Sequence, residues 1–493
     1  MLKLLAFDYG ASNGRAILGS FDGNKLKLEE VHRFPNDPVM ANGTFYWDVL
    51  RLYHEMKQGI LKCVKSGNGD IAGIGVDTWG VDFGLLGPSG ELLGNPVHYR
   101  DSRTEGMIEE ACKLVPKREI FERTGIAFQK FNSLYQLLAM KLNNSPILEK
   151  ASTLLFMPDL LRYFLTGEKS TEFTIASTAQ MLDAKNGGWD FTLLRKLGLP
   201  DNIYTDIINP GKVTGRLSKS VCEELGVSDI PVIAVAEHDT GSAVVSVPAE
   251  DEKYAYLSSG TWSLLGVELD KPIINDDTYN LNYTNEGGFN GTVRLLKNIM
   301  GLWIYQECRR AWEKKGETFT FDQLDHMIST AEPFVAFIDP DNDLFYSPGN
   351  MPDKIVEFCR KTGQRVPDSK AQILRCVIES LALKYRHAIE GLEKIIGYRI
   401  PVLHIVGGGC KNVNLSQFTA NAIGRPVKAG PDEATSTGNL ICQLVALGEV
   451  ADLSQARAVV KESFPTVEYL PEDKERWEEA YDRFLKVANN PPN

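Results

Sequence analysis

Close to its amino terminus the sequence reads Lys3-Leu-Leu-Ala-Phe-Asp8-Tyr-Gly10-Ala-Ser-Asn-Gly14-Arg15-Ala-Ile-Leu18, a short glycine-bearing turn between two apolar runs. Apolar runs joined in this way predict a β-hairpin. Because few side chains stand in the way, backbone N–H groups and small hydroxyls of such a turn can approach a polyphosphate closely. Asp8, at the end of the first run, is placed to hold the Mg²⁺ that accompanies phosphates, directly or through water. The stretch therefore favours a phosphate-binding hairpin.

The pattern of an apolar run followed by glycine occurs twice more. It returns as Leu257-Ser-Ser-Gly260-Thr261-Trp-Ser-Leu-Leu and again as Val402-Leu-His-Ile-Val-Gly407-Gly408-Gly409. A glycine turn after a strand is common, so each of these alone also fits an ordinary structural turn. Their order and spacing together favour two related domains that close on one nucleotide. A P-loop ATPase is disfavoured, because no Gly-x-x-x-x-Gly-Lys-Ser/Thr element occurs.

Composition narrows the classes of protein that the chain can represent. With 493 residues the chain is too long for one core, and a net charge of −12 argues against a nucleic-acid or anionic-membrane surface. No run of about 18 apolar residues occurs, so no transmembrane helix is expected. The eight cysteines form no Cys-x-x-Cys pair, which disfavours zinc and a disulfide framework. We therefore expect a cytoplasmic protein, monomer or dimer, that acts on a small molecule.

Periodicity places strands and helices along both halves of the chain. The first half is predicted to have strands at 2–9, 15–21, 25–34 and 71–77, a helix at 48–65, and a strand at 81–86 that pairs with strand 71–77. The second half is predicted to have strands at 254–258, 262–268 and 402–406 and helices at 295–315, 370–396 and around 415–422. This order differs from the strict alternation of a dinucleotide-binding fold. The predicted domains are residues 1–246 and 247–493.

One buried strand ends in a cluster of polar residues that suits phosphoryl transfer. The segment reads Val232-Ile-Ala-Val-Ala-Glu237-His238-Asp239-Thr240-Gly241. Phosphoryl transfer to an alcohol benefits from a carboxylate that accepts the hydroxyl proton as the new bond forms. Asp239 suits this role, and the start of a helix beside it favours the transferring anion. The structural alternative is an N-cap aspartate on that helix.

The segment Gly75-Val-Asp77-Thr78-Trp79-Gly80-Val81-Asp82 is typical of a polyol site. Trp79 beside Gly80 offers an apolar wall with an open floor, and the flanking carboxylates can accept hydrogen bonds from sugar hydroxyls. The structural alternative is a tight turn with a core tryptophan. The nearby Tyr99-Arg100-Asp101-Ser102-Arg103 either lines the same cleft or forms a surface ion-pair cluster.

These segments together resemble the FGGY family of carbohydrate kinases. The motifs that carry the resemblance span nearly the full chain and are Asp8–Arg15, Asp77–Asp82, Tyr99–Thr104, Ala236–Gly241, Leu257–Ser263, Lys297–Trp303 and Val406–Asn412. Two of them, Asp77–Asp82 and Ala236–Gly241, resemble the motifs specific to the family members that act on L-rhamnulose. The resemblance implies an α/β fold of two ribonuclease H-like domains, as in the actin, hexokinase and Hsp70 superfamily, with a central cleft. It also implies ATP-dependent, Mg²⁺-assisted phosphorylation of the ketose L-rhamnulose at its 1-hydroxyl, in rhamnose catabolism.

The resemblance also assigns roles to residues of this chain. The residues that it implies for ATP binding are Ala11, Ser12, Asn13, Gly14, Arg15, Thr261, Gln306 and Gly408. Those that it implies for contact with the sugar are Gly80, His238, Asp239, Thr240 and Asn298, with Asp239 as the base. Asp8, as a ligand of Mg²⁺ through water, follows from the logic of the wider superfamily.

Two other functions fit parts of the sequence. Another FGGY kinase, acting on L-fuculose or xylulose, would carry the same nucleotide motifs. An actin- or Hsp70-like ATPase would also carry them, but it would not require a carboxylate and an imidazole beside an acceptor pocket. The carboxylate of Asp239 beside His238 and the pocket expected at Trp79 therefore favour a small polyol acceptor.

Overall fold

The computed structural model describes residues 1–489. The β-strands are β1 (Leu2–Tyr9), β2 (Asn13–Phe21), β3 (Leu26–Pro35), β4 (Val39–Ala41), β5 (Thr44–Tyr46), β6 (Ile71–Thr78), β7 (Phe83–Leu86), β8 (Thr153–Phe156), β9 (Thr171–Glu172), β10 (Ile207–Ile208), β11 (Lys212–Arg216), β12 (Pro231–Ala234), β13 (Ala255–Ser259), β14 (Trp262–Leu269), β15 (Thr284–Gly287), β16 (Val293–Met300), β17 (Leu403–Val406), β18 (Val427–Ala429) and β19 (Val467–Tyr469). The α-helices are α1 (Val49–Lys65), α2 (Met107–Leu114), α3 (Lys117–Thr124), α4 (Ser133–Leu142), α5 (Pro146–Lys150), α6 (Met157–Thr166), α7 (Phe173–Ala176), α8 (Phe191–Lys196), α9 (Lys219–Leu225), α10 (Asp239–Val245), α11 (Asp276–Asn280), α12 (Trp303–Glu313), α13 (Phe321–Thr330), α14 (Met351–Lys361), α15 (Lys370–Ile396), α16 (Val413–Ile423), α17 (Ala434–Ala446), α18 (Leu453–Ser463) and α19 (Lys474–Asn489).

The chain forms two compact units, each built from three segments. The first unit contains Met1–Pro248, Glu268–Leu295 and Ala434–Ser463. The second contains Ala249–Val267, Leu296–Glu433 and residues 464–489. The division of the sequence into domains 1–246 and 247–493 stays a prediction. Among the described residues, no helix has the combined length and apolar character that crossing a membrane requires.

The first unit is organised around a sheet with the strand order β11-β12-β6-β1-β2-β3. Strands β1, β6 and β12 are parallel, and β2 and β3 follow β1 as antiparallel neighbours. Successive side chains of a strand point to opposite faces, so β1 can bury two faces at once. Leu5, Phe7 and Tyr9 pack in one core cluster with the apolar stripe of α1. Helix α17 packs against β1 and β6.

Small residues allow α17 to approach its neighbours closely. A Cβ atom on Gly75 of β6 would lie 2.4 Å from the Oδ1 atom of Asn439. A Cβ atom on Gly438 of α17 would lie only 1.7 Å from the carbonyl oxygen of Ser242 in α10. Glycine at these two positions therefore fixes α10, which carries Asp239, against the helix that covers the sheet.

The predicted pairing of strand 81–86 with strand 71–77 is wrong. Strand β7 pairs antiparallel with β8 in a separate two-stranded sheet. The chain turns away after β6 because Val81 has a φ of 68°, in the left-handed region that β-branched residues rarely occupy. The Val81 N–H donates to the hydroxyl of Thr178, and its carbonyl accepts from the hydroxyl of Ser133. These bonds hold the turn that redirects the chain.

The second unit contains adjacent strands in the order β16, β14, β13, β17, β18 and β19. Strand β13 pairs antiparallel with β14 and parallel with β17, as in the first unit's β2-β1-β6 arrangement. The long predicted helix 370–396 is confirmed as α15. The predicted helix 295–315 is wrong in its first part, because residues 295–300 belong to strand β16 and the helix α12 begins at Trp303.

Candidate active site

The predicted phosphate hairpin is present between β1 and β2. Tyr9 pairs with Gly14, and the Gly10 N–H donates to the carbonyl of Asn13 at 2.9 Å, which closes the turn. Ser12 is exposed, and Ala11 and Asn13 are half-buried, so the backbone at the tip is accessible. Close packing excludes a side chain at Gly14, because a Cβ atom there would lie 2.2 Å from the ring of Phe34.

Asp8 lies at the base of this hairpin and is almost fully buried. One of its oxygens, Oδ2, accepts from the guanidinium of Arg15 at 2.6 Å and from the hydroxyl of Ser436 at 2.9 Å. The same structural unit thus supplies Asp8 with one cation and one neutral donor. Arg15 is half-buried at the edge of the turn.

Asp77 and Asp239 lie close enough to Asp8 for the three charges to affect one another. Burial, together with the charges of Asp8 and Asp239, raises the pKa of Asp77 well above its usual value. Its Oδ2 accepts from Asn439 at 2.6 Å, whereas its buried Oδ1 has no hydrogen-bond partner within residues 1–489. Clustered carboxylates with an unused buried oxygen fit a divalent cation. In the described chain no three acidic, histidine or cysteine side chains form a cage for a metal ion.

Asp239 is the first residue of α10, and His238 occupies the N-cap position. The Oδ1 atom of Asp239 accepts from the backbone N–H of Thr240 at 2.6 Å and lies 3.2 Å from the Thr240 hydroxyl. The side chain is 31 % exposed, and its Oδ2 has no partner among the residues described. Burial raises the pKa of Asp239; the imidazole of His238 opposes the rise, and the charge of Asp8 adds to it. The carboxylate is therefore a stronger base than an ordinary aspartate and retains lone pairs for a ligand.

The sugar-side residues predicted in the first unit lie together. The ends of β6 and the strand that leads to Asp239 are adjacent, with a bridge between Thr78 and His238. A Cβ atom on Gly80 would lie 3.3 Å from the Nε2 atom of His238, so Gly80 lies directly beside that imidazole. Nε2 of His238 is in turn 3.4 Å from Oδ1 of Asp239. Gly80, His238, Asp239 and Thr240 thus form one cluster.

Sequence reasoning missed two residues of this cluster. The carboxylate of Glu286 lies 3.3 Å from Nδ1 of His238, and Nη2 of Arg294 lies 3.1 Å from the same nitrogen. Burial opposes a lowered pKa for Glu286, but its neighbours His238 and Arg294 outweigh burial and lower the pKa of this carboxyl. Both residues lie about 50 positions along the chain from His238, and no local motif connects them.

The structure favours the structural alternative for Trp79 and Asp82, which were predicted to line a polyol pocket. Trp79 is only 5 % exposed, and its ring centroid lies 4.0 Å from that of Trp47, with the two rings tilted by 36°. Asp82 is fully buried and accepts from the two indole N–H groups, from the backbone N–H of Tyr99 and from the side chain of Gln136. Burial raises the pKa of Asp82 to about 6. The segment therefore contains a tight turn with a core tryptophan, and Thr78 and Gly80 within it lie beside His238.

The predicted nucleotide residues of the second unit lie on three connected elements. Thr261 is in the β13–β14 turn, and its carbonyl accepts from the N–H of Trp303, the first residue of α12, at 3.2 Å. Gln306 follows on the first turn of that helix. Gly408 is exposed in the glycine turn after β17, and a Cβ atom on Gly409 would meet the Ser259 side chain at 2.0 Å, which places that turn against the β13–β14 hairpin.

Asn298 also belongs to the second unit. It lies on β16 and is half-buried, two residues before the strand ends at Met300. A Cβ atom on Gly301 would lie 2.7 Å from the carbonyl carbon of Trp262, so the chain passes close to the β13–β14 turn there. Asn298 lies on β16, and Thr261 immediately precedes the neighbouring strand β14.

Sequence comparison with known families now identifies the class of protein. The N-terminal domain of the FGGY family of carbohydrate kinases matches residues 3–246, and the C-terminal domain of the same family matches residues 255–447. The chain belongs to the FGGY family of carbohydrate kinases, as the motifs predicted. Membership makes it an ATP-dependent sugar kinase, which confirms the predicted class of enzyme.

Individual relatives narrow the comparison. The chain is 48 % identical over 482 residues to a rhamnulokinase from Bacteroides thetaiotaomicron, covering 98 % of both proteins. It is 44 % identical over 465 residues to a rhamnulokinase from Oceanobacillus iheyensis, covering 94 % of this chain and 97 % of that protein. A rhamnulokinase from Bacillus subtilis is 39 % identical over 471 residues, or 96 % of each.

Solved structures confirm the predicted two-domain α/β fold. A ligand-bound xylulose kinase from Lactobacillus acidophilus matches with a TM-score of 0.81 at 18 % identity, over 99 % of this chain and 98 % of that one. A glycerol kinase from Plasmodium falciparum, crystallised with ADP, matches with a TM-score of 0.80 at 16 % identity over the same shares. At these identities the likeness concerns the fold.

Proposed function

We propose that this chain transfers the γ-phosphoryl group of ATP to the 1-hydroxyl of L-rhamnulose, giving L-rhamnulose 1-phosphate and ADP. The observation that carries the proposal is the Asp239 carboxylate, which has raised basicity, an unused oxygen and an imidazole neighbour in one cluster with Gly80. The relatives named rhamnulokinase, similar along nearly their whole length, support the choice of L-rhamnulose.

In the proposed reaction Asp239 accepts the proton of the sugar hydroxyl as the bond to phosphorus forms. An aspartate is a weak base, so it accepts the proton late, when that proton has become acidic. Gly80, His238, Thr240 and Asn298 are proposed to orient the ketose. Much of the acceleration then comes from holding the hydroxyl in line with the phosphoryl group, since positioning replaces a bimolecular encounter.

The hairpin residues Ala11 to Arg15 are proposed to hold ATP phosphates through backbone N–H groups and the Arg15 guanidinium. Thr261, Gln306 and Gly408 are proposed to serve the same nucleotide. Mg²⁺, when bound with ATP, neutralises the charge that develops on the phosphate oxygens. Asp8, with Asp77 behind it, is proposed to hold that ion through water, because their clustered charges and the unpaired Oδ1 of Asp77 fit a cation.

A coupled ADP-release assay on the purified protein tests the proposal. The panel contains L-rhamnulose, L-fuculose, D-xylulose and a control without sugar. We expect turnover that depends on a sugar and has its highest kcat/KM with L-rhamnulose. Higher kcat/KM with another ketose would assign a different substrate within the family, and rapid hydrolysis without sugar would favour an actin- or Hsp70-like ATPase.

A further inference from the structure

Arg294 and Glu286 form an ion pair directly against the imidazole of His238. Nη2 of Arg294 lies 3.2 Å from Oε2 of Glu286 and 3.1 Å from Nδ1 of His238. Oε2 of Glu286 lies 3.3 Å from the same nitrogen. The Arg294 side chain is fully buried, and its Nε donates to the carbonyl of Gly287 at 2.8 Å, which anchors the guanidinium in one orientation.

This geometry constrains which nitrogen of His238 carries a proton. Arg294 has donors only, so a hydrogen bond from its Nη2 to Nδ1 uses a lone pair on that nitrogen. This contact, at 3.1 Å, is shorter than the 3.3 Å contact with Glu286, which would need a proton on Nδ1, and it therefore favours the lone pair. A neutral imidazole with a lone pair on Nδ1 carries its proton on Nε2. Nε2 is the nitrogen that faces Asp239 and lies beside Gly80. The ion pair therefore selects a tautomer whose N–H points into the cluster.

A purely structural role explains the ion pair less well. Taking two charges out of water offsets much of their mutual attraction, so a buried ion pair is weak evidence for stabilisation. Within residues 1–489, Nη1 of Arg294 has no hydrogen-bond partner, so the burial is not fully compensated. What the ion pair does provide is a fixed orientation of the His238 imidazole.

We propose that Arg294 and Glu286 are positioning residues, which hold His238 with its Nε2–H directed beside Asp239 so that it donates a hydrogen bond to a sugar oxygen. The oxygen next to the reacting hydroxyl then has a fixed donor, while Asp239 is left to accept the proton. This inference rests on the proposed kinase reaction, but it assigns a function to two residues far from the nucleotide motifs. It predicts that the pair acts on the sugar and through His238 alone.

The double variant E286Q/R294M tests the proposal without leaving a lone buried charge. We expect kcat/KM for the ketose to fall about tenfold, the size expected for a lost hydrogen bond to a polar substrate group, while KM for ATP is unchanged. In an H238N background the same double substitution is expected to have little further effect, because its target is gone. An equal loss in the presence and absence of His238 would overturn the proposal.

A matched control is the pair Arg123 and Asp190 in the same unit. Nη1 of Arg123 lies 3.0 Å from Oδ2 of Asp190, whose side chain is 4 % exposed, and neither residue contacts the His238 cluster. R123M/D190N therefore removes a more exposed ion pair elsewhere in the unit, together with the N-cap of α8. We expect it to leave kcat/KM for the ketose unchanged at temperatures well below unfolding; a loss equal to that of E286Q/R294M would favour a general effect of ion-pair removal.

Histidine tautomers give a readout that does not depend on activity. The protein has seven histidines, so long-range ¹H–¹⁵N spectra of histidine-labelled protein can be assigned by the loss of one signal in H238N. We expect the Nε2–H tautomer of His238 in the unmodified chain and in R294K, and a shift towards Nδ1–H in R294M, where Glu286 becomes the only neighbour of Nδ1. An Nδ1–H tautomer in the unmodified chain would overturn the proposal even if the kinase is active. Absent ketose turnover with the expected tautomer would instead count against the proposed function.

Discussion

Asp82 and Asp239 are both acidic residues in motifs that suggested a sugar site, and burial raises the pKa of each. Asp82 is fully buried, and four N–H groups from Trp47, Trp79, Tyr99 and Gln136 occupy its oxygens. Asp239 is 31 % exposed and accepts from Thr240 alone on one oxygen. The two carboxylates therefore differ in how many lone pairs the protein itself uses.

Burial alone therefore does not distinguish a carboxylate that can still accept a proton from one whose oxygens the protein already uses. A carboxylate whose acceptors are all satisfied organises the protein around it, as Asp82 joins Trp47, Trp79 and the Tyr99 backbone. A carboxylate with unused acceptors can take a proton or a ligand. Substitutions that remove either charge should therefore have opposite consequences for activity and stability.

The largest effect is expected for D239N. Asparagine keeps the size of the side chain and can still accept from Thr240, but it cannot accept the hydroxyl proton. We expect kcat to fall by a factor of about 10³, while the midpoint of thermal unfolding and the affinity for ATP change little. Single-turnover transfer from labelled ATP measures the loss. Retained transfer would reassign the base and break the distinction between the two acids.

D82N is expected to show the reverse. An asparagine NH₂ would meet N–H donors that now point at a carboxylate oxygen, which leaves buried groups unsatisfied. We expect the free energy of unfolding to fall by about 3 kcal/mol in urea titrations. Any protein that remains folded should bind ATP normally. If D82N is as stable as the unmodified chain but its KM for the ketose is much higher, Asp82 contacts the sugar instead.

The stability gap between the unmodified chain and D82N should depend on pH. The folded pKa of Asp82 is raised to about 6 from 3.8, so the folded state binds this proton more tightly than the unfolded chain. Asp82 therefore destabilises the fold most above pH 6, and this cost is relieved as pH falls from 6 towards 4. As the pH falls from 6 to 4, the unmodified chain should become more stable relative to D82N by up to about 1.4 kcal/mol per pH unit. Above pH 6 the difference in stability should stay constant. A gap that is flat from pH 4 to 7 would mean that the four donors keep Asp82 ionised.

The smallest effect is expected for G80A, at the position between the two acids. The new Cβ would lie 3.3 Å from both His238 Nε2 and a methyl carbon of Thr178, tighter than most carbon contacts but without backbone overlap. We expect stability to change by less than about 1 kcal/mol and KM for the ketose to rise by about tenfold. Steady-state kinetics with varied ketose, and then with varied ATP, separate this from a general loss of activity.

Local patterns in the sequence predicted the elements whose partners lie nearby in the chain. The strand at 2–9 and the helix at 370–396 are confirmed with the same bounds, because their apolar periodicity already states which faces are buried. Residues 295–300 were predicted as helix because Leu295, Leu296 and Ile299 match a helical stripe. The pairing of β16 within its sheet overrides this helical pattern. A short apolar run does not show whether its residues will pair with other strands.

The candidate site divides in the same way. His238 and Asp239 are adjacent, so a motif contains them. Glu286 and Arg294 reach His238 only through the fold, and nothing in residues 284–294 marks two charges as buried partners of an imidazole. Trp79 and Asp82 carried a site-like pattern, but Trp47 lies 35 residues before Asp82, and its indole decides their surroundings.

Helix α17 is synthesised long after the strands of the first unit against which it packs. Ser436 bonds to Asp8 across 428 residues of chain, and Asn439 bonds to Asp77 across 362. At about 5–20 residues per second, a ribosome delivers α17 on the order of half a minute or more after β1 has left it. Until then the nascent first unit lacks the helix that covers one face of β1 and β6, and its acidic cluster lacks two hydrogen-bond donors. A gene fragment that stops near residue 246 would encode this uncovered intermediate, so its product should bind chaperones and refold only when the later segment is supplied.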